Sequence, residues 1–449
     1  MLRSAASSSA PLPPGRAGLP WLGETRPFLS DGFGFCAERV ARHGPVFRTR
    51  ILGRETVVIS GPEATAAFND EERILRSGAM VPHVAELMGK VSLPLLDGPA
   101  HRRRKDFVLA GFTPEAYAAY LPEIEREVAS ALASWAERGE ISAVAETKRL
   151  ALETICLSIL GIPRGPVLDA LAADYEIVLA GFSALPLPFP GTPFNRAKAA
   201  LARILKRFEE AIAEHLETPK EDGLSRILAA KAEDGAGIGV EELKVELHHI
   251  VVAGLIVWSE LAALVLALDR HAEVRQRLAA EIEASSREPL SAGSLRRLPY
   301  LHQVVLETKR TCPIVPVFFG RARRDFELSG RRVPEGWMVL WSHRTSLLEG
   351  TVYPDPERFD PDRFSPCRAE DKKHPFGYAP QGAGPTTGHK CPGIDFATLL
   401  MSAFAVELIR GYEWELPAGQ DFSYDWSKIP PEPKGGLRLR LRPSRRSEG

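Results

Sequence analysis

The stretch "APQGAGPTTGHKCPGIDFATLL", residues 379–400, decides the fold that we expect for this chain. It places Cys391 between a loop rich in Gly, Pro and Thr and a run of apolar residues with helical spacing. The sulfur is therefore expected near a helix N-terminus, where the helix dipole and the free amides favour a thiolate. Pro392 is of the residue type favoured in a first helical turn. Gly393 would let a large planar group approach closely.

A lone cysteine before a helix is most often a small, buried, apolar residue. The setting of Cys391 also suits an axial ligand to haem iron, because electron donation from a thiolate promotes cleavage of an O–O bond. Both interpretations stay open from this stretch alone, and the rest of the chain has to separate them.

The composition of the 449 residues is that of a soluble globular protein, with 44% hydrophobic and 26% charged residues. The formal net charge is −1, which gives no reason to expect a nucleic-acid partner. Five scattered cysteines without a CxxC pair argue against a disulfide framework or a zinc site and fit a reducing cytoplasm. The N-terminus has no long apolar run, so neither a signal peptide nor a membrane anchor is expected.

The pattern along the chain predicts a mainly α protein with a small β portion, arranged as one domain over residues 15–449 after a disordered arm, Met1–Pro14. Helical spacing dominates from Pro62 to Glu217. The other predicted segments are a hairpin within His43–Ala64, a Pro-rich loop at Leu185–Phe194, two helices within Ser291–Arg310, strands within Val315–Ser342, an irregular loop at Tyr353–Phe364 and a strand at Gly435–Arg442.

The segment Gly237–His271 predicts one long helix, which is apolar almost all round beyond His249 and therefore lies inside the protein. Its part Ile250–Leu268 approaches the length of a membrane span. Ser259 and Glu260 interrupt that part at its centre, where an acid costs about 3 kcal/mol on insertion scales. We therefore predict a buried core helix.

Two further motifs follow the long helix. "ETKR" places Glu307 and Arg310 three residues apart on a helix, and "PERF", residues 356–359, offers Arg358 as a second partner for Glu307 in a buried network. Taken alone, such a pair is most often a solvated ion pair worth a few tenths of a kcal/mol.

The motifs occur in a fixed order: Ala253–Gly254 on the long helix, Glu307-x-x-Arg310, "PERF", and Cys391-x-Gly393. In this order the chain resembles the cytochrome P450 family, and the likeness runs through nearly its whole length. "PPGRAGLPWLGE" (13–24) and "DGPAHRRRKDFVLAGFTPEAY" (97–117) are similar to further family segments. The resemblance implies a helix-rich triangular prism with a long central helix over haem b.

The resemblance also implies roles for individual residues. Cys391 would be the fifth ligand of the iron, with Gly393 beside it, and Glu307, Arg310 and Arg358 would brace the loop behind the haem. The haem propionates, which need cationic donors when partly buried, would be neutralised by His101, Lys105, Arg321 and His389.

The ligand loop departs from the family pattern. Gly384 and Thr387 stand where the family has Phe and Gly, and the loop resembles that of bacterial fatty-acid peroxygenases and, more distantly, the allene oxide synthase branch. A harmless insertion in a tolerant loop is the alternative interpretation.

The central helix departs as well. Its candidate catalytic residues are Ala253, Gly254, Ile256 and Val257, and the last two occupy the positions of the family's acid–Thr pair. That pair relays protons, a general-acid role that no aliphatic side chain can fill. Either oxygen activation is altered, or water or a substrate hydroxyl delivers the protons. Ser259 and Glu260 are the nearest polar residues, but they lie on other faces of the helix.

The substrate is expected to be hydrophobic, because the predicted wall beside the haem is apolar: Val252, Ala253, Ile256, Val257 and Trp258. "GLPWLGE" and "PLPFPGTPF" resemble the branch that handles retinoids, sterols and other terpenoids. We therefore expect a haem-thiolate monooxygenase that hydroxylates or epoxidises a terpenoid, sterol-like, polyketide or lipid compound in specialised metabolism.

No nicotinamide or flavin fingerprint is seen, so electrons would come from a separate ferredoxin- or flavodoxin-type protein. The alternative is an enzyme that needs no redox partner, either a peroxygenase or an isomerase, cyclase or dehydratase, because Ile256 and Val257 replace the acid–Thr pair. The absence of Arg and Lys from residues 250–268 disfavours a peroxygenase that binds a carboxylate with this helix. A haem-binding sensor or carrier without turnover is a third possibility.

Overall fold

A computed structural model describes residues 10–285, 288–312 and 314–444. Its α-helices are α1 Thr25–Ser30, α2 Gly32–His43, α3 Pro62–Phe68, α4 Pro82–Met88, α5 Gly98–Leu109, α6 Pro114–Arg138, α7 Ala143–Leu160, α8 Pro166–Phe182, α9 Pro193–Glu217, α10 Gly223–Ala229, α11 Val240–Leu255, α12 Trp258–Arg270, α13 Ala272–Glu283, α14 Ala292–Arg296, α15 Pro299–Thr311, α16 His343–Leu347 and α17 Ile394–Gly411.

The strands are short by comparison: β1 Val46–Ile51, β2 Arg54–Ile59, β3 Ile74–Leu75, β4 Glu140–Ser142, β5 Val317–Ala322, β6 Phe326–Leu328, β7 Arg331–Val333, β8 Met338–Ser342, β9 Tyr412–Glu415, β10 Tyr424–Asp425, β11 Glu432–Pro433 and β12 Arg438–Pro443. The fold is thus mainly α with small sheets, as predicted. The predicted hairpin is β1–β2, and the predicted C-terminal strand is β12.

Helix starts follow local capping chemistry. Pro299 opens α15, where its missing N–H would have had no partner in any case. Thr192 caps α9 by accepting a hydrogen bond from the Asn195 amide. The predicted Pro-rich loop therefore ends two residues early, because its last residues, Pro193 and Phe194, form the first turn of α9.

The larger sheet has the order β1-β2-β8-β5-β3. Strand β8 lies parallel to β2 and antiparallel to β5. The short edge strand β3 pairs with β5 so that Leu75 is opposite Arg321. This non-local pairing brings Arg76, the residue after β3, beside the second half of β5.

The last residues of the predicted disordered arm, Met1–Pro14, have backbone partners. Residues 1–9 lie outside the described residues. The Pro11 carbonyl accepts a hydrogen bond from the Arg332 amide, and the Pro14 carbonyl accepts one from the Arg48 amide. The prediction of disorder is therefore wrong for residues 11–14. Prolines cannot donate a backbone hydrogen bond, but the carbonyls of Pro11 and Pro14 accept one from amides at strand edges.

The long central helix is interrupted, which corrects the prediction of one continuous helix. Helix α11 ends at Leu255 and α12 begins at Trp258. At the break the Val257 amide donates to the Gly254 carbonyl in a tight turn of i−3 type. The Ser259 hydroxyl donates to the Ile256 carbonyl at 3.1 Å and so competes with the regular helical ladder.

The central helices nevertheless lie inside the protein, as predicted. Leu261, Leu264 and Val265 are fully buried in the main core. Among the described residues, Val240–Arg270 is the segment long and apolar enough to cross a membrane, and 72% of its most apolar window is buried within the fold. Its hydrophobicity therefore stabilises the core.

Candidate active site

The loop before α17 holds Cys391 by backbone contacts. The Cys391 amide donates to the Gln381 carbonyl at 2.9 Å. Gly382 has a φ of +88°, and a side chain there would lie 3.1 Å from the His389 carbonyl oxygen, so only glycine lets the loop fold back this closely. Helix α17 starts at Ile394, which leaves Pro392 outside the first helical turn, contrary to the prediction.

The charge state of Cys391 depends on competing effects. Burial raises the pKa of the thiol, whereas the Gly393 amide and the ammonium groups of Lys105 and Lys309 act in the opposite direction. The net direction is upward, so the helix N-terminus alone does not secure the thiolate that the sequence predicts. A coordinated metal ion would do so, because a coordinating thiol is deprotonated.

Interior space lies beside this loop and beside the central helix. Cys391 is deep in the protein and yet keeps part of its surface uncovered. Ala253 and Ile256 do the same on the central helix, although their neighbours Leu255 and Val257 are buried. Uncovered surface this far inside is what residues around an enclosed ligand site would show.

Two of the predicted propionate residues form a pair. The rings of His101 and His389 have centroids 4.1 Å apart. The Nδ1 atom of buried His101 has no hydrogen-bond partner among the described residues, and neither has Nη1 of Arg76. Burial and then the neighbouring His389 lower the pKa of His101 to about 3. Burial also lowers the pKa of Arg76 to about 10, despite Asp97 and Glu71.

Unpartnered buried donors of this kind fit the carboxylates of a haem. Glu71, His101 and His389 also offer ligand atoms within 4.8 Å of one another, as a metal site would. The positive charges of Arg76 and Lys105 beside His101 argue against a cation there and favour an anion.

Arg76 is a residue that the sequence analysis missed. Its position depends on the pairing of β3 with β5, which no local pattern indicates. The guanidinium is fixed by a hydrogen bond from Nη2 to the Phe68 carbonyl at 2.8 Å and lies over the Phe68 ring.

The other two predicted propionate residues, Lys105 and Arg321, do not belong to the histidine pair. Lys105 donates from Nζ to the Lys390 carbonyl, and burial lowers its pKa to about 8, with Cys391 opposing the shift. It therefore holds the ligand loop directly. Arg321 is half-buried on β5, and among the described residues its side chain has no hydrogen bond or ion pair that would oppose a role toward a carboxylate.

Behind the loop, Glu307 and Arg310 form a fully buried ion pair. Nε and Nη2 of Arg310 donate to the two carboxylate oxygens of Glu307 at 2.7 and 2.8 Å. The Asp360 amide donates to the same carboxylate at 2.8 Å. Burial raises the pKa of Glu307, and Arg310 counteracts this shift.

The prediction that the Arg358 side chain joins this network is wrong. Its side chain is exposed, and only its carbonyl joins the network, accepting from Nη2 of Arg310 at 3.3 Å. The buried third member is Arg363, whose Nε lies 3.5 Å from Glu307. The sequence repeats its tetrapeptide pattern at Pro361–Phe364, and the 3₁₀ turn formed there directs Arg363 inward.

Residues 13–433 match the sequence profile of the family described as cytochrome P450. The chain belongs to the cytochrome P450 family. It is therefore a P450-type oxidoreductase, and haem b is its cofactor, as predicted.

Individual P450s cover almost the whole chain. Abscisic acid 8'-hydroxylase 2 of Arabidopsis thaliana is 30% identical over 96% of this chain and 90% of its own length. The solved structure described as retinoic acid bound cyanobacterial CYP120A1 has a TM-score of 0.89 and 31% identity, covering 97% of this chain and 100% of that chain. Cytochrome P450SP alpha (CYP152B1) in complex with (R)-ibuprophen has a TM-score of 0.79 and 25% identity, covering 93% and 98%.

The haem of a P450 supplies activation of oxygen or peroxide at its iron. In this P450 the residues that would hold it are Cys391 toward the iron and His101, His389, Arg76 and Arg321 toward the propionates. The Glu307–Arg310–Arg363 network joins α15 to the backbone of residues 354–360.

A second buried pair in this P450, which the sequence analysis did not connect, touches the ligand loop. Nζ of Lys309 donates to Oε1 of Gln381 at 2.8 Å and to the Ile394 carbonyl at 3.2 Å. It also lies 3.8 Å from Oε2 of Glu260 on α12. Burial lowers the pKa of Lys309 and raises that of Glu260, and their mutual attraction opposes both shifts.

Fewer residues form the apolar wall of this P450 than the sequence predicts. Trp258 is buried under the Lys148 ammonium, which lies 4.7 Å from its ring centroid, and so belongs to the contact with α7. Gly254 also faces α7, since a side chain there would lie 2.4 Å from Cγ1 of Ile155. Close helix packing therefore explains the glycine, and Ala253 and Ile256 are the residues with uncovered surface.

Proposed function

We propose that this P450 hydroxylates an apolar carboxylic acid of the isoprenoid type. The observation that carries this proposal is the aliphatic surface left uncovered inside the protein by Ala253 and Ile256. Such a surface favours a hydrophobic skeleton, since neither of these two side chains offers a hydrogen bond.

The relatives support the acid. One is named for abscisic acid and another was solved with retinoic acid, and both compounds combine an isoprenoid skeleton with one carboxyl group. Ibuprofen, the ligand in the structure of cytochrome P450SP alpha, is also a hydrophobic carboxylic acid. A terpenoid acid therefore unites the apolar wall with the ligands of similar proteins.

Electrons would come from a separate ferredoxin- or flavodoxin-type donor, and the enzyme would work in the cytoplasm. Support for a separate donor is that the P450 match accounts for residues 13–433, and no nicotinamide or flavin fingerprint is seen in the sequence.

The test is turnover of all-trans-retinoic acid by the haem-loaded protein with NADPH, a ferredoxin, its reductase and oxygen. We expect a product heavier by one oxygen atom, detected by mass spectrometry, that does not form without NADPH. Failure of retinoic acid and abscisic acid to be consumed, with a control P450 active in the same assay, would reject the proposal.

A second candidate is a reaction that needs no redox partner. It is favoured by Ile256 and Val257, which cannot relay protons, and by the ligand loop before Cys391, which resembles that of bacterial fatty-acid peroxygenases. In the same assay, product formed with hydrogen peroxide alone would indicate a peroxygenase. Substrate loss with neither peroxide nor NADPH would indicate an isomerase, cyclase or dehydratase.

A further inference from the structure

One polar side chain interrupts the apolar inner face of α11. Nδ1 of His249 lies 3.2 Å from Oε2 of Glu246, one turn earlier on the same helix. Nε2 has no hydrogen-bond partner among the described residues, and the side chain keeps 11% of its surface uncovered. His249 is thus nearly buried, held on one ring nitrogen and free on the other.

The carboxylate behind His249 is firmly fixed. Glu246 is fully buried, and its Oε1 accepts hydrogen bonds from Nη1 of Arg104 at 2.7 Å and from the Leu93 amide at 2.9 Å. Because a carboxylate can only accept, the shared proton lies on Nδ1 of His249. This contact fixes the orientation of the ring, and in its imidazolium form the ring donates from Nε2 as well as from Nδ1.

His249 lies on the helix face that borders the interior space. Ala253 and Ile256 follow it by four and seven residues, so the three share one face. Between residues 246 and 265 those two keep intermediate exposure while the rest are buried. Helix α5 supports this placement, because Arg104 binds Glu246 on α11 and the next residue, Lys105, binds the ligand loop beside Cys391.

The neighbouring histidine shows the contrast. His248 stacks on Tyr175 of α8 at 5.8 Å with its ring nearly parallel, and its Nε2 contacts the Leu87 carbonyl at 2.8 Å. Both of its nitrogens have partners within the fold. A packing role accounts for His248 but leaves Nε2 of His249 unexplained.

We infer that His249 binds the carboxylate of the substrate through Nε2, with Glu246 and Arg104 as its support. This assignment rests on the proposed function and names the group that would orient an apolar acid along α11. Arg104 is less suited to that role, because both of its Nη atoms are already bound to Glu246 and Glu242. The apolar skeleton would lie along Ala253 and Ile256, toward Cys391.

The test compares two ligands in the haem-loaded protein: all-trans-retinoic acid and its methyl ester, titrated by the change in the haem Soret spectrum. In the wild type we expect the acid to bind more tightly than the ester. In His249→Leu we expect the dissociation constant of the acid to rise about 10- to 100-fold, as for loss of a charge-assisted hydrogen bond, and that of the ester to change less than about threefold. His249→Gln, which keeps a donor, should lose less.

His271→Leu, at the more exposed end of the central helices, is the matched control and should bind both ligands as the wild type does. The ferrous–CO spectrum and the melting temperature establish that each variant is folded and contains haem. If His249→Leu fails either check, His249→Phe takes its place. Unchanged binding of the acid, or an equal loss for acid and ester, would overturn the role of His249 while leaving the proposed function standing. If neither ligand perturbs the wild-type spectrum, the proposed substrate class fails, and a carboxylate anchor for it fails too.

Discussion

Nε of Arg363 lies 3.5 Å from Oε1 of Glu307 in the interior of the protein, and this contact completes the ion-pair network behind the ligand loop. Arg363 also donates to the carbonyls of Pro354 and Asp355 and to Glu370. One guanidinium therefore satisfies acceptors along a loop that has little regular structure of its own.

Replacement of Arg363 by Ala should lower the free energy of unfolding by about 3–5 kcal/mol, as expected for a partner lost from a buried charge network. Arg358→Ala should change it by less than about 0.5 kcal/mol, because that side chain is exposed. Chemical denaturation of both variants measures the difference. Equal effects would contradict the assignment of Arg363.

Cys391→Ala should abolish the ferrous–CO absorption that is characteristic of thiolate ligation, because it removes the sulfur that would bind the iron. The matched control is Cys367→Ala, since Cys367 is an exposed free cysteine. Retention of the thiolate-type absorption in Cys391→Ala would show that another residue binds the iron.

Lys309→Met should lower the reduction potential of the bound haem, because removal of a positive charge near the ligand loop disfavours the more negative reduced state. Glu260→Gln should raise it, because it removes the opposing negative charge. Each shift should be on the order of tens of millivolts, given that a buried unit charge typically changes the energy of a nearby charged centre by roughly 1–2 kcal/mol. Spectroelectrochemistry measures both, and shifts of the same sign would refute this electrostatic account.

Val257→Thr should increase the fraction of NADPH electrons that appear in product, if proton delivery limits turnover. Val257 is buried at the break between α11 and α12, where a hydroxyl would provide the missing proton carrier. NADPH consumption and product are measured together, with Val257→Ala as the control for side-chain size. Equal coupling in all three proteins would mean that protons arrive by another route.

Gly254→Ala should lower the melting temperature, because the added carbon would lie 2.4 to 2.8 Å from three atoms of Ile155. Overpacking of this kind typically costs about 1–3 kcal/mol. Combination with Ile155→Val should restore part of the loss by making room at the contact. No recovery in the double variant would show that the two residues do not meet.

The sequence predicted those parts of the site that lie within a few residues of each other. Cys391 with its glycine-rich loop is one such local pattern, and the cysteine keeps part of its surface uncovered in the interior. Glu307 with Arg310 is the other, and the two side chains form a buried ion pair. The sequence could not distinguish Arg358 from Arg363, because both stand in nearly the same tetrapeptide. Only the structure shows that Arg358 is exposed and that Arg363 is buried beside Glu307.

What the sequence could not provide depends on distant parts of the chain. Arg76 reaches the His101–His389 pair through a strand pairing across more than two hundred residues. Lys309 lies within the recognised "ETKR" motif, but its contacts with Gln381 and Glu260 exist only in the folded chain. The break at Ile256 was missed because apolar periodicity continues through it, while the Ser259 hydroxyl competes for a backbone carbonyl.

The two contacts of Lys309 have a mechanical consequence for the loop around Cys391. A single ammonium joins Gln381, at the start of the loop, to the carbonyl of Ile394, at the first residue of α17. Movement at either end is thereby passed to the other, so the intervening segment should respond to heat as one cooperative unit and not fray from one side.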